Sequence, residues 1–263
     1  MTRIGKTFLS LRQKGRSALI PYITPEFPVR GVTVPLILSL EDSGADFIEL
    51  GIPFSDPIAD GPTIQNSSRI ALKNGVTLKK VLSFVTDIRR QSTIPIILMG
   101  YFNSFLHYKL TRFFDDALRV GADGIIVPDL PPEEAGSMMK SARSNRLSVT
   151  FLIAPTSPPK RIEKIDRLST DFSYCVSVTG VTGAREQLGE NQELESFLRR
   201  VKRHTKKPFV VGFGISRRDQ VLDVCRYADG AVVGSALIRS MENCKSVSNA
   251  VRMGTKFFGS LRP

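Results

Sequence analysis

The 263-residue sequence predicts an α/β fold, a single (β/α)8 TIM barrel with extra helices, spanning residues 1–263 as one domain. Three observations predict it. Short apolar runs alternate with helical stretches along the whole chain, which favours a parallel sheet covered by helices. Several of the runs are near-continuous in Val and Ile, as strands buried on both faces are. The length suits one such barrel, which takes ~250 residues. An open doubly wound sheet is the competing arrangement. It would favour GxGxxG after the first strand, and here that strand runs into PYITPEFP.

The elements follow in order. A helix near residues 7–14 precedes the first strand, ALIPYI at 18–23. A helix at 31–43 leads to DFIEL at 46–50. A helix at 78–91 leads to PIILM at 95–99, and one at 110–120 to GIIV at 124–127. Helix 132–143 precedes VTFLI at 149–153, and helix 158–168 precedes SYCVSV at 173–178. Helix 193–204 precedes PFVV at 208–211, and helix 217–227 precedes the eighth strand, GAVV at 230–233. Two helices close the chain, one from Ser235 and one over 246–258. In such a barrel function sits at the C-terminal ends of the strands, so polar residues and glycines just after each strand are the site candidates.

Bulk properties exclude several classes. With 41% hydrophobic and 24% charged residues, the composition is that of a soluble globular protein. MTRIGKTFLSLRQKG has no apolar core of the ~7–15 residues a signal peptide needs, and no segment approaches the ~18 of a membrane span. A cytoplasmic location is expected. Cys175, Cys225 and Cys244 are widely spaced without a CxxC pair, so buried free thiols are expected rather than disulfides or a zinc site. The net charge of +12 attracts anions, but its basic groups are short (199–203, 206–207, 217–218) and not interleaved with aromatic residues, which argues against nucleic acid.

Glu49 lies inside the second strand, in FIELGIP. A buried carboxylate is costly unless it is paired or neutralised. It is either satisfied by hydrogen bonds inside the barrel or used there. The strand runs directly into PFSDPIADGP, where Asp56 and Asp60 sit in a loop stiffened by Pro53, Pro57 and Pro62. Acids converging at the catalytic end can exchange protons near neutral pH if one pKa is raised by an apolar pocket. A metal is the rival use. The DxxxD spacing fits no calcium loop, and His107 and His204 lie far off and are expected on the surface, so no metal is expected.

Three late segments suit a phosphate: TGVTGAR at 179–185, GFGIS at 212–216 and GSALI at 234–238. Glycine lets backbone N–H groups approach a ligand, and a helix opening at Ser235 favours an anion. Barrels often bind phosphate after strands seven and eight. The polar stretch 179–191 reads equally as a lid or as an ordinary exposed loop.

Taken together, IELGIPFSDPIADGPTIQ, LMGYFNSF, VPDLPPEEA, FLIAPTSP, YCVSVTGVTGAR, GFGIS and VVGSA occur in the order and spacing of tryptophan synthase α subunits, and the resemblance covers nearly the whole chain. It implies cleavage of indole-3-glycerol phosphate to indole and glyceraldehyde 3-phosphate. By position it implies Glu49 and Asp60 as catalytic acids with Tyr174, near the end of strand six, beside them. Tyr22, Ile64, Met99, Tyr101, Ile153, Thr182 and Phe213 would line the indole pocket. For Tyr22, Met99, Ile153 and Phe213 plain core packing is the alternative. Gly183, Gly212, Gly214, Gly234 and Ser235 would hold the phosphate.

The same resemblance implies no cofactor in this chain and a β subunit partner carrying pyridoxal phosphate, in an αββα heterotetramer. Pro53, Asp56, Asn103 and Pro131 would face that partner, which makes Asp56 a poor catalytic candidate. The sequence departs from the family at Ser104, where proline is frequent after the asparagine, and at Lys109, where a glycine is expected. A barrel that mainly docks on and activates β, with weak lyase activity of its own, is the alternative function. Other phosphate-binding isomerases or aldolases would need a catalytic Lys, Cys or His at a strand end, and none is convincing.

Overall fold

The computed structural model describes residues 1–176, 192–212 and 214–262. Among them are nine strand segments, all paired in parallel: β1 (Ala18–Ile23), β2 (Ile48–Gly51), β3 (Ile96–Met99), β4 (Gly124–Ile126), β5 (Ser148–Thr150), β6 (Leu152–Ile153), β7 (Ser173–Val176), β8 (Phe209–Gly212) and β9 (Gly230–Val233). Their order is β5-β4-β3-β2-β1-β9-β8-β7-β6. The two ends of this sheet, β5 and β6, are separated only by Phe151. They are two halves of the expected fifth strand, and the barrel closes through it. Phe151 changes partners there: its N–H donates to Ser169 Oγ at 3.1 Å, and its carbonyl accepts from Tyr174 N at 3.1 Å.

Strand side chains alternate between two layers. Ala18, Ile20, Tyr22, Ile97, Met99, Ile126, Leu152, Tyr174, Val176, Val210 and Val232 fill the barrel interior. Leu19, Ile23, Ile48, Leu50, Ile96, Leu98, Val149, Ile153, Cys175, Val211 and Val233 face outward against the helices. Because both layers are apolar, the strands show no polar alternation in sequence.

The first helix, α1 (Arg3–Gln13), plugs the bottom of the barrel. Ile4, Phe8 and Leu11 join the inner layer, and the Phe8 ring lies 4.7 Å from Phe47 and 5.5 Å from Phe172. It begins four residues before the expected position because Thr2 caps it, with Oγ1 accepting from Gly5 N at 2.9 Å and donating to Asp171 at 2.7 Å.

Three carboxylates stitch this lower rim: Asp46 accepts from Leu19 N (2.9 Å), Asp123 from Ile96 N (2.8 Å) and Asp229 from Phe209 N (3.0 Å). They tie neighbouring strands together at the end opposite the candidate chemistry, so their role is structural.

The remaining expected helices occur within a few residues of their sequence positions: α2 (Thr33–Asp42), α4 (Leu78–Arg89), α6 (Leu110–Val120), α7 (Gly136–Ser144), α8 (Pro159–Leu168), α9 (Gln192–His204), α10 (Arg218–Cys225), α11 (Ser235–Met241) and α12 (Val247–Gly259). Two helices lacked a recognisable pattern. The inner face of α3 (Pro62–Lys73) is Ile64, Ser67, Ser68 and Ala71, mostly small and polar. Ser67 makes it tolerable by bonding Thr24 Oγ1 at 2.7 Å and the Ile64 carbonyl at 2.8 Å. The other, α5 (Phe102–Tyr108), is only seven residues long and is cut from α6 by Lys109, whose φ is +74°.

Two smaller expectations change. Cys175 and Cys244 are buried free thiols, but Cys225, the last residue of α10, is only half-buried. His107 is exposed as expected. His204 is half-buried and meets Glu163 Oε1 at 2.8 Å, because the end of α9 lies beside α8. No helix among the described residues is long and apolar enough to cross a membrane.

Candidate active site

The site grows from β2. Ile48 and Leu50 face outward into the sheet–helix layer, so alternation turns Glu49 inward, where it is 2% exposed. In register it lies between Tyr22 of β1 and Ile97 of β3. After Gly51 the chain leaves the barrel rim through Pro53 and Pro57 and returns at Asp60. Turns at Asp56–Ile58 (2.9 Å) and Pro57–Asp60 (3.0 Å) fold this loop. Pro62 at the start of α3 supplies the fixed φ that a first helical turn needs.

Tyr101 holds the returning chain. Its hydroxyl donates to Asp60 Oδ2 at 3.0 Å and accepts the Ala59 N–H at 2.9 Å. Its ring stacks on Phe54, with centroids 5.3 Å apart. The Asp60 carbonyl also accepts from Gln65 Nε2 at 2.8 Å. Asp60 is thereby directed over the barrel mouth. Asp56 is exposed, and among the described contacts its carboxylate bonds only its neighbour Ser55.

A cleft of about 530 Å³ opens at this mouth. Glu49, Asp60, Tyr174, Tyr22, Ile64 and Met99 line it from the side of the acids. Gly214, Ile215, Gly234, Ser235, Ala236 and Arg239 line it from the segments that follow β8 and β9, with Val232 of β9 between. Acids and glycine segments, distant in sequence, thus share one space.

The two acids have separated proton affinities. Burial, and then the charge of Asp60, raise Glu49 from 4.5 to about 8. Burial raises Asp60 from 3.8 to about 6, opposed by the hydrogen bond from Tyr101. At neutral pH Glu49 is a proton donor and Asp60 a carboxylate. Tyr22 and Tyr174 are pushed well above the usual phenol range, by burial first and then by the same two acids, so both phenols stay neutral.

Two glycines make room for these tyrosines. A Cβ on Gly51 would lie 2.3 Å from the Tyr22 hydroxyl, and one on Gly212 only 1.9 Å from that of Tyr174. Gly212 does not line the cleft; its open face is taken by Tyr174, near the start of β7 rather than near its end.

Other sequence candidates fall elsewhere. Ile153 faces away from the cleft: it is fully buried beside its register partner Cys175 in the outer layer, while Leu152 takes the inward position. The sequence could not reveal this, since both residues of the pair are aliphatic. Tyr101 acts through Asp60 and the loop backbone. Thr182, Gly183 and Phe213, with the rest of stretch 179–191, lie outside the described residues. Of the four positions expected to face a partner, Asp56 and Asn103 are exposed and Pro131 half-buried. Pro53 is buried and offers a partner little surface. Ile58 (86% exposed) and Leu106 (51%) are the unforeseen apolar groups on this rim, and Arg239 the unforeseen cation of the cleft. Among the described residues no group of three or more His, Cys, Asp or Glu is placed to hold a metal.

Residues 8–260 match the family model described as tryptophan synthase alpha chain. The chain belongs to the tryptophan synthase alpha chain family. Relatives of that name include one from Chlorobium limicola, 46% identical, covering 96% of this chain and 97% of its own. Another, from Roseiflexus castenholzii, is 50% identical over 92% of each. Among solved structures, the tryptophan synthase subunit alpha of Legionella pneumophila superposes with a TM-score of 0.91 at 36% identity, covering 100% of this chain and 97% of that one. A Pyrococcus furiosus structure, described as the basis of mutual activation of the tryptophan synthase a2b2 complex, gives 0.86 at 40% identity over 93% and 97%. The α chains of this family share the barrel, and here its mouth holds the two acids.

Proposed function

We propose that the chain cleaves indole-3-glycerol phosphate to indole and glyceraldehyde 3-phosphate as the α subunit of a tryptophan synthase, with Glu49 and Asp60 as the catalytic pair. The observation that carries the reading is the convergence of Glu49 and Asp60 on one cleft lined by glycine segments, where burial raises both acids and Glu49 the further.

The chemistry follows from the substrate. Breaking the carbon–carbon bond directly would leave charge on indole C3. Glu49 instead protonates C3, giving an indolenine-like cation in which the ring is the electron sink. The Asp60 carboxylate accepts the indole N–H and stabilises the positive charge that develops there. Glu49, now ionised, takes the proton of the glycerol hydroxyl. That oxygen becomes the aldehyde carbonyl, the bond pair returns to the ring, and aromaticity is restored. Glu49 ends protonated, as it began. Tyr174, beside Glu49, packs the reacting face with Tyr22, Ile64 and Met99. The backbone at Gly214, Gly234 and Ser235 receives the phosphate. Gly212 contributes by leaving space for Tyr174.

The reaction needs no Schiff-base lysine and no organic cofactor in this chain. The partner is a tryptophan synthase β subunit carrying pyridoxal phosphate, in an αββα assembly that takes the indole onward. The exposed rim of Asp56, Ile58, Asn103 and Leu106 supports docking there, because an exposed apolar group such as Ile58 is stabilised when covered.

The test is to incubate pure protein with indole-3-glycerol phosphate, with and without β, and measure indole. Release that Glu49→Gln or Asp60→Asn abolishes, with the fold retained, supports the reading. Wild-type turnover in either variant removes that residue from the mechanism.

A further inference from the structure

We propose that Arg239 is a phosphate ligand of the substrate, closing over the phosphate from the cleft rim. The inference rests on the lyase reading for its substrate class, a phosphomonoester.

Arg239 lies on α11 one turn beyond Ser235, so both side chains share a face of the helix, and both line the cleft. Among the described lining residues it is the one cation, and the acids it shares the cleft with are Glu49, which keeps its proton at neutral pH, and the Asp60 carboxylate. A dianionic phosphate entering beside the Asp60 carboxylate meets like charge. A guanidinium on the glycine side of the cleft offsets it.

The bonding of Arg239 leaves it able to do so. It forms no ion pair with a carboxylate among the described residues, whereas other arginines do, such as Arg89 with Asp123 and Arg226 with Asp223. The acid nearest it on the same helix end, Glu242, accepts instead from Asn66 Nδ2 at 3.4 Å. Among the described residues, the one side-chain bond of Arg239 runs from Nη1 to Thr63 Oγ1 at 3.3 Å, long and to a neutral acceptor. A phosphate oxygen is a stronger, charge-assisted acceptor that can take two parallel N–H bonds. Exchange of Thr63 for phosphate is therefore favourable. The side chain is exposed, so it can turn inward without disturbing the core. Thr63 stands three residues after Asp60, so the resting contact also ties the rim of α11 to the segment that carries the acid.

The test uses the whole protein, with Arg239→Ala and Arg239→Lys, glycerol 3-phosphate as binding probe, and indole-3-glycerol phosphate and its dephosphorylated counterpart as substrates. Urea midpoints confirm that the exposed substitutions leave the fold intact. In Arg239→Ala, Kd for glycerol 3-phosphate and KM for the phosphorylated substrate should rise by about tenfold or more. KM should move more than kcat, and preference for the phosphorylated substrate should fall by the same factor. Arg239→Lys should recover part of the loss. Equal Kd in wild type and Arg239→Ala overturns the inference, as does absence of glycerol 3-phosphate binding by the wild type. A wild type that binds glycerol 3-phosphate through Arg239 but releases no indole overturns the lyase reading and leaves the phosphate ligand standing.

Discussion

The Tyr174 hydroxyl occupies the space that a side chain on Gly212 would need: a Cβ there would stand 1.9 Å from the oxygen and 2.5 Å from Cζ. Both residues are embedded in adjacent strands, β7 and β8, so neither backbone can retreat cheaply. Gly212→Ala should displace Tyr174 from the cleft and lower kcat/KM for indole release by at least about tenfold, ~1.4 kcal/mol of transition-state stabilisation. The check is a double-mutant cycle with Tyr174→Ala. Because the first substitution already removes what the second would, the two losses should be far from additive. Additive losses would mean that Gly212 acts independently of the tyrosine.

Tyr101→Phe removes the donor that holds Asp60 and the acceptor that holds Ala59. The donor bond favours the ionised form, so its loss should move the Asp60 pKa upward from about 6. The acid limb of the kcat/KM profile should shift to higher pH, and activity at pH 6 should fall more than at pH 8. An unmoved acid limb would show that the hydroxyl does not act through Asp60.

The acid pair predicts a bell-shaped kcat/KM profile with apparent values near 6 and 8, since Asp60 must be ionised and Glu49 protonated. The same pair predicts a stability effect. Glu49 has a folded pKa of about 8 against 4.5 unfolded, so over that window the folded protein keeps a proton that the unfolded chain releases. Stability is therefore undiminished by this group below 4.5 and falls as pH rises towards 8. Glu49→Gln should flatten the decline and stabilise the protein at pH 8 by on the order of 1 kcal/mol while abolishing turnover. Urea midpoints between pH 5 and 8 read this directly.

Lys109 predicts a stabilising substitution. It joins α5 to α6 with φ +74° and ψ 111°, a conformation that costs a side-chain-bearing residue on the order of 1 kcal/mol or more and glycine little. The family expectation of glycine at this position has its physical reason in that backbone. Lys109→Gly should raise the urea midpoint, corresponding to about 1 kcal/mol. An unchanged or lowered midpoint would mean that the lysine is not strained.

By itself, the sequence determined the barrel, since apolar runs alternating with helices leave few other ways to bury both faces of each strand. It also determined where the acids and glycine segments lie, because Glu49 interrupts an apolar strand and the glycines follow two others. The tertiary structure alone decided the direction of side chains and the partners across the mouth. Ile153 and Leu152 are both aliphatic, so only the closed sheet shows that Leu152 faces in and Ile153 out. Gly212 was legible as a loop glycine, yet its neighbour Tyr174 is 38 residues away and meets it only through strand pairing. Tyr101 and Arg239 reach the site from separate elements, through contacts spanning 41 and 176 residues. No local pattern encodes such contacts, because they exist only after the barrel has closed.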